Sequence, residues 1–350
     1  MLTLISFSNR IPLCKTQLLR AVFLSSQPEQ APKKNLGKLV NVAIIGAPNS
    51  GKSTLINKIV ERKTCAASNK VHTTTRLARA ICYSNDTQIV FLDTPGVVSS
   101  KEQKKYKLPD SMLAACHKSL RCADVIGVLH DVSNRYTKDS LHQNVVTMLN
   151  LAEGIPSFLV LNKVDKLNSK KQLLAIIRNI TNGFIAGNPI PGAEKNIKKK
   201  QERGYSHFSD VFIISALNGD GVKEIKDYLI TNAKPAALHF QPTEFTDQSH
   251  KTLIEEAVRA KFLDFLAQEI PYNLNILLEY YEEDEEDKII CSVIVECPTE
   301  RIMRLISGAG GGRLQQIKSS ARNDLMELFK KTVIMDLQLK VKSKPVSDMI

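Results

Sequence analysis

Val42-Ala43-Ile44-Ile45-Gly46-Ala47-Pro48-Asn49-Ser50-Gly51-Lys52-Ser53-Thr54 runs from an apolar stretch into a glycine-bounded loop and on into the helical pattern of residues 54–59. This stretch decides the fold, because strand, loop and helix in that order form a phosphate cradle. The two glycines let the backbone wrap tightly with its N–H groups turned inward. Lys52 can reach terminal phosphate oxygens, and the Ser53 hydroxyl suits Mg²⁺. Gly46, Ala47, Pro48, Asn49, Ser50, Gly51, Lys52, Ser53 and Thr54 are therefore expected to hold the phosphates of a nucleotide.

Three further motifs specify the base. Residues 87–92 form a strand pattern ending in Asp93-Thr94-Pro95-Gly96. There Asp93 can hold Mg²⁺ through water, and the Gly96 N–H can sense a γ-phosphate. A second strand, 156–161, ends in Asn162-Lys163-Val164-Asp165, whose carboxylate can accept both the N1–H and the 2-amino protons of guanine; adenine offers no such pair. A third, 211–214, delivers Ser215-Ala216-Leu217, with the Ala216 N–H expected at guanine O6. Four motifs in this order, each at the C-terminal end of a strand, indicate a site for GTP and GDP with Mg²⁺.

Around these motifs residues 40–233 alternate strand and helix, as a doubly wound, mostly parallel α/β sheet requires. Strands are expected near 41–46, 78–83, 87–93, 124–131, 157–162 and 211–215, and helices near 52–61, 110–120, 137–153, 168–181 and 220–232. Residues 183–209 carry glycines, prolines and the basic run at 195–200 and read as a surface insertion. The run is either a solvated charged face or an auxiliary RNA contact. Residues 234–250, with Pro235 and Pro242 and no periodicity, read as a linker.

From 251 to 345 the order changes to helix (253–270), strand (274–281), acidic turn (282–287), strand (289–296), helix (299–307), glycine loop, long helix (313–330) and strand (333–341). This α-β-β-α-α-β order is that of an α+β type II KH domain. Its loop, Gly308-Ala309-Gly310-Gly311, allows close backbone approach to single-stranded nucleic acid, and Arg313 and Lys318 follow on the next helix.

Composition is consistent with a basic two-domain chain. At 350 residues it exceeds the usual single-core size. Its 48 Lys and Arg against 36 Asp and Glu give a formal charge of +12, which favours a polyanionic partner once a binding module is present. No stretch approaches ~18 uninterrupted apolar residues. Residues 1–28 contain no acid and space Arg10, Lys15 and Arg20 among apolar and hydroxyl residues, the composition of an organelle-targeting presequence; residues 1–36 are expected to lie outside the folded domains. The seven cysteines show no framework spacing, so they read as reduced thiols, and Cys116-His117 with Cys122 lacks a second ligand pair for a metal.

Taken together, Gly46 to Ser53, Ser68-Asn69-Lys70-Val71-His72-Thr73-Thr74-Thr75-Arg76, Asp93 to Gly96, Asn162 to Asp165, Ser215 to Leu217, His239-Phe240, Thr246-Asp247, Glu269-Ile270-Pro271-Tyr272 and the glycine loop resemble the Era GTPases over residues 40–345. With the presequence, the resemblance points to mitochondrial members. It implies a GTPase that binds near the 3′ end of small-subunit ribosomal RNA and acts in assembly of the mitochondrial small ribosomal subunit within the matrix; slow hydrolysis is expected separately, from Val97 at the position where Ras-like GTPases carry Gln. Peripheral association with the inner membrane is compatible with it. A catalytically silent RNA-binding assembly factor, and a GTPase acting on tRNA or another RNA, are the alternatives.

Departures from the family pattern affect the site. Ala309-Gly310 stands where a basic residue is common, so Arg313, Lys318 and backbone N–H groups are expected to form the phosphate clamp. Three threonines replace the usual two, and the Mg²⁺/γ-phosphate contact is assigned to Thr74, with Thr73 and Thr75 next. Val97 stands where Ras-like GTPases orient water with Gln. Lys52, Thr74 and Gly96 are then the expected catalytic groups, supported by Mg²⁺ and backbone, by a partner, or by K⁺ beside Asn49. A loop-stabilising hydrogen bond is the equal alternative for Asn49.

Overall fold

The computed structural model describes residues 36–66, 78–93, 119–167, 169–191, 203–267 and 269–342. Thr74, Thr94, Pro95, Gly96, the expected presequence before residue 36 and the basic run at 195–200 lie outside the described residues.

The first half is a seven-stranded sheet. It is built from β1 (Leu36–Gly46), α1 (Lys52–Val60), β2 (Ala78–Ser84), β3 (Thr87–Asp93), β4 (Val125–Asp131), α2 (Gln143–Leu151), β5 (Ser157–Asn162), α3 (Leu173–Ile180), a short hairpin of β6 (Phe184–Ile185) and β7 (Asn188–Pro189), β8 (Phe208–Ile213), α4 (Val222–Thr231) and β9 (Lys234–Ala237). The strand order is β2-β3-β1-β4-β5-β8, with β9 also pairing β1. Only β2 runs antiparallel along this path, against β3; the other neighbours are parallel.

Strands β4 and β5 are near-continuous apolar runs buried along their length, the pattern of strands covered by helices on both faces. On one face lie Val145, Met148 and Leu149 of α2 and Leu173, Ile176, Ile177 and Ile180 of α3. The spacing in α3 is one helical stripe. The opposite face is covered by Leu55, Ile56 and Ile59 of α1 and Val222, Ile225 and Leu229 of α4.

The second half comprises α5 (His250–Phe265), β10 (Asn275–Glu283), β11 (Ile289–Cys297), α6 (Glu300–Ser307), α7 (Gly312–Phe329) and β12 (Val333–Val341). This is the expected α-β-β-α-α-β order, with β11 central, antiparallel to β10 and parallel to β12. Side-chain caps fix two helix starts: Ser249 Oγ accepts from the Thr252 N–H and Thr299 Oγ1 from the Ile302 N–H. Its core, centred on Val258, Phe262, Val293, Val295, Ile317 and Leu325, is separate from those of the first half.

Several local expectations change. Residues 137–142 are not helical: Asn134 makes an Asx turn to the Tyr136 N–H at 3.0 Å and the Lys138 carbonyl is held by His130, so α2 begins only at Gln143. The ends of the expected 183–209 insertion are built into the sheet, since Ile190 and Phe208 are buried and the Ala186 N–H donates to the Phe208 carbonyl at 2.8 Å. The 234–250 stretch is a strap across the sheet edge rather than a loose linker. Fully buried Gln88 accepts from the N–H groups of His239 and Phe240 at 2.9 and 3.3 Å, and the Ile81 N–H donates to the Phe245 carbonyl at 2.9 Å. Prolines do not prevent this, because the strap's key contacts come from residues other than Pro235 and Pro242.

Candidate guanine-nucleotide site and glycine loop

Parallel pairing brings the motifs to one edge. In register, Ile44 lies opposite Asp93, Gly46 opposite Leu129 and Asp131 opposite Asn162, so the strand ends carrying the phosphate loop, Asp93 and Asn162 converge. The loop itself is shaped by close approach. A Cβ on Gly46 would sit 2.4 Å from the Leu129 carbonyl oxygen. Gly51, at φ 102°, has left-handed geometry and leaves only 2.4 Å between a built Cβ and Asn162 Nδ2. Lys52 is buried, and its ammonium donates to the Gly46 and Ala47 carbonyls at 3.3 and 3.1 Å, within the curve of the loop. The buried Ser50 hydroxyl beneath the loop has no hydrogen-bond partner among the described residues. Left-handed backbone at Asn49 and Gly51 and a buried cation fit a nucleotide's phosphates.

Asn162 ties three elements together. Its Nδ2 donates to the Ser50 carbonyl at 2.8 Å, and its Oδ1 accepts from the Ala216 N–H at 2.9 Å. The Ala216 N–H, expected at guanine O6, is thus given to Asn162, a correction that makes Ala216 a support for the asparagine. Ser215 is buried and anchors the same loop: its N–H donates to the Asp220 carbonyl at 3.0 Å. Leu217 is exposed at 72%. Asp165 sits on the exposed turn Val164–Lys166 that follows left-handed Lys163, at φ 65°.

Sequence reasoning missed Asp131. Its carboxylate lies 2.6 Å from the Lys163 ammonium, which also donates to the Asn49 carbonyl at 2.6 Å. The other carboxylate oxygen accepts from the Ser133 N–H and hydroxyl at 2.8 and 2.6 Å. Burial pushes the Asp131 carboxyl up, but the hydrogen bonds from Lys163 and Ser133 outweigh it and hold it below the usual carboxylate range. Next to it, burial lowers the His130 imidazole from its usual range, against the raising effect of the Lys138 carbonyl, Asp131 and Asp139. The available signal was an acid, after His130, at the end of a strand that is apolar up to Leu129.

The glycine loop closes α6 and opens α7. Gly308, Gly310 and Gly311 all have positive φ, and a Cβ on Gly310 or Gly311 would meet nothing within 4 Å. The backbone there is open to approach from outside. The two cations expected beside it are engaged elsewhere: Arg313 donates to the Leu305 carbonyl at 3.0 Å, and Lys318 pairs with Asp336 at 3.1 Å. Exposed Arg301 and Arg304, one turn apart on α6, are nearby cations that the sequence reading omitted; Arg304 pairs with Glu300.

Far from the loop, α7 meets the segment after α1. Lys63 pairs with Asp324 and Glu327 at 2.7 and 2.9 Å, and Arg62 donates to the Leu328 carbonyl at 3.2 Å. Asn57 holds the next residues, accepting from the Cys65 N–H at 2.8 Å and donating to its carbonyl at 2.7 Å.

A family model described as 50S ribosome-binding GTPase matches residues 41–163. The chain is 35% identical to the mitochondrial GTPase Era of Danio rerio, over 90% of this chain and 77% of that protein. It is 31% identical to the GTPase Era of Leuconostoc citreum, over 87% and 91% respectively. Among solved structures it is similar to Era in complex with MgGDPNP and nucleotides 1506–1542 of 16S ribosomal RNA, with a TM-score of 0.70 and 26% identity over 88% of this chain and 95% of that one.

Proposed function

As a member of the Era family of GTPases, to which it belongs, the chain binds GTP and hydrolyses it, and we propose that it does so to time its hold on small-subunit ribosomal RNA during assembly of the mitochondrial small subunit. One observation carries this reading. The similar solved Era structure includes both a GTP analogue with Mg²⁺ and a 16S rRNA segment, and the similarity spans both halves of this chain. Mitochondrial residence agrees with the similar fish protein, and the matrix is the compartment where that RNA would be met.

The phosphates would lie in the loop of Gly46, Ala47, Pro48, Asn49, Ser50, Gly51, Lys52, Ser53 and Thr54. Ser53, Asp93 and Thr74 would hold Mg²⁺, whose charge offsets that of the β- and γ-phosphates when it is bound. Lys52 and the loop N–H groups stabilise negative charge that grows toward the leaving diphosphate. Asn162 keeps loop and base-recognition turn in register, and Asp165 selects guanine. Thr94, Pro95 and Gly96 would report the γ-phosphate. On the other domain, the Gly308–Gly311 backbone would approach the RNA, with Ala309 at its tip; Arg313 and Lys318 would have to leave Leu305 and Asp336 to join it.

Crosslinking of the tagged protein in intact mitochondria tests the reading. Recovery of the 3′-terminal region of the small-subunit rRNA is expected. Recovery of tRNA alone would redirect the function.

A further inference from the structure

The outer face of the second domain's sheet carries an apolar strip among polar residues such as Ser292, Asp336 and Gln338. A sheet with one solvated face normally alternates apolar and polar residues, whereas strands apolar on both faces are buried on both. The central strand β11 reads Ile289-Ile290-Cys291-Ser292-Val293-Ile294-Val295. Ile289, Cys291, Val293 and Val295 fill the core, while Ile290 and Ile294 point to the other side and are only half-buried. Register places Leu277 opposite Ile294, and Ile334 opposite Ile290. Leu277, Tyr280 and Ile334 are 38%, 48% and 53% exposed, so these five side chains make one apolar strip.

Its surroundings are acidic. Residues 279–287 supply Glu279, Glu282, Glu283, Asp284, Glu285, Glu286 and Asp287, and β12 adds Asp336. Lys340, Lys331, Lys288 and Lys318 ion-pair with some of them, which leaves a clear carboxylate surplus on a chain whose formal charge is +12. Such a border repels RNA. It also repels a second copy of the same face, which would bring acid against acid.

We propose that this face, centred on Leu277, Tyr280, Ile290, Ile294 and Ile334, docks a lysine- and arginine-rich segment of a small-subunit ribosomal protein, with the segment's apolar side chains on the strip and its cations on the acidic rim. The assignment rests on the small-subunit reading above. It gives the domain two opposite recognition surfaces: the glycine loop for RNA and the sheet for protein.

The test compares full-length wild type with Leu277→Ser/Ile334→Ser and with Glu282→Lys/Glu285→Lys, exposed changes that spare the core. Binding is measured to purified mitochondrial small subunits and, separately, to a naked oligonucleotide of the rRNA 3′ end. Both variants should bind the subunit more weakly by about fivefold or more, while neither should bind the oligonucleotide more than about twofold more weakly than wild type. Unchanged subunit binding overturns the docking surface. Equal loss on naked RNA shows instead that the face touches RNA, and a wild-type dimer by light scattering that the variants dissociate shows that a second copy covers it. Wild type that binds the oligonucleotide but no subunits overturns the small-subunit reading itself.

Discussion

The Lys163 ammonium stands 2.6 Å from both the Asp131 carboxylate and the Asn49 carbonyl, so one cation joins the end of β4 to the phosphate loop. Lys163 makes both contacts from a left-handed backbone, φ 65°. Asp131, held in turn by Ser133, sets the direction of the ammonium.

Asp131→Asn should therefore loosen the loop, raising the GDP off-rate by roughly tenfold, equivalent to the ~1.5–3 kcal/mol of a charged hydrogen bond at its lower end. Asp131→Glu should recover part of it. Because the folded pKa is depressed, the stability from this pair is present above the ordinary carboxyl value of about 3.9 and is lost as pH falls through the lower folded value. Acid unfolding followed by circular dichroism should show a smaller drop across that window in Asp131→Asn than in wild type.

Asp165→Asn should weaken GTP binding and shift preference toward xanthosine triphosphate, since the amide presents a donor where xanthine carries oxygen. Asp165 lies on an exposed turn, so the melting temperature should barely move. Equilibrium binding of both nucleotides measures the switch; undiminished GTP affinity would remove Asp165 from the site.

Replacing both Ala309 and Gly310 with Asp should cost on the order of 1–3 kcal/mol in RNA affinity, by charge repulsion and lost close approach. Space around a Cβ at Gly310 is open, but its φ of 60° adds backbone strain, so Ala309→Asp alone is the cleaner control. Nucleotide affinity should hold. Fluorescence anisotropy at rising salt should show the defect shrinking as counterion release weakens wild-type binding.

Asp324 lies between Lys63 and Lys261, and its side chain is 18% exposed against 41% for Lys63. Removing it deprives Lys261 of that carboxylate while Lys63 keeps Glu327, so Asp324→Ala should destabilise more than Lys63→Ala. A double-mutant cycle in urea should give roughly 0.5–1 kcal/mol for the exposed Lys63–Asp324 pair and more for Lys261–Asp324. Zero coupling at Lys63–Asp324 would mean that the contact between α7 and the segment after α1 is incidental.

K⁺ provides the fifth test. If Asn49 holds K⁺ beside the phosphates, multiple-turnover hydrolysis in wild type should rise when K⁺ replaces Na⁺, and Asn49→Ala should erase the difference without changing GDP affinity. Equal rates in the two salts would leave Asn49 as a loop-stabilising residue in left-handed geometry, φ 59°.

The sequence by itself determined the two architectures and the nucleotide. Each nucleotide motif is a short contiguous run whose expected chemistry is local: glycines for tight turns, a lysine and a hydroxyl proposed for phosphate, an acid proposed for guanine. The glycine loop between two helices is local in the same way. What only tertiary structure decided are the contacts between distant residues, which leave no periodic trace: Lys163 with Asp131, 32 residues apart, Asn162 with Ser50, 112 apart, and Lys63 with Asp324, 261 apart. The Gln88 strap and the diversion of Arg313 and Lys318 to protein partners are of this kind. Buried polar groups must find a hydrogen-bond partner wherever the fold brings one, and a linear pattern does not encode which groups will meet.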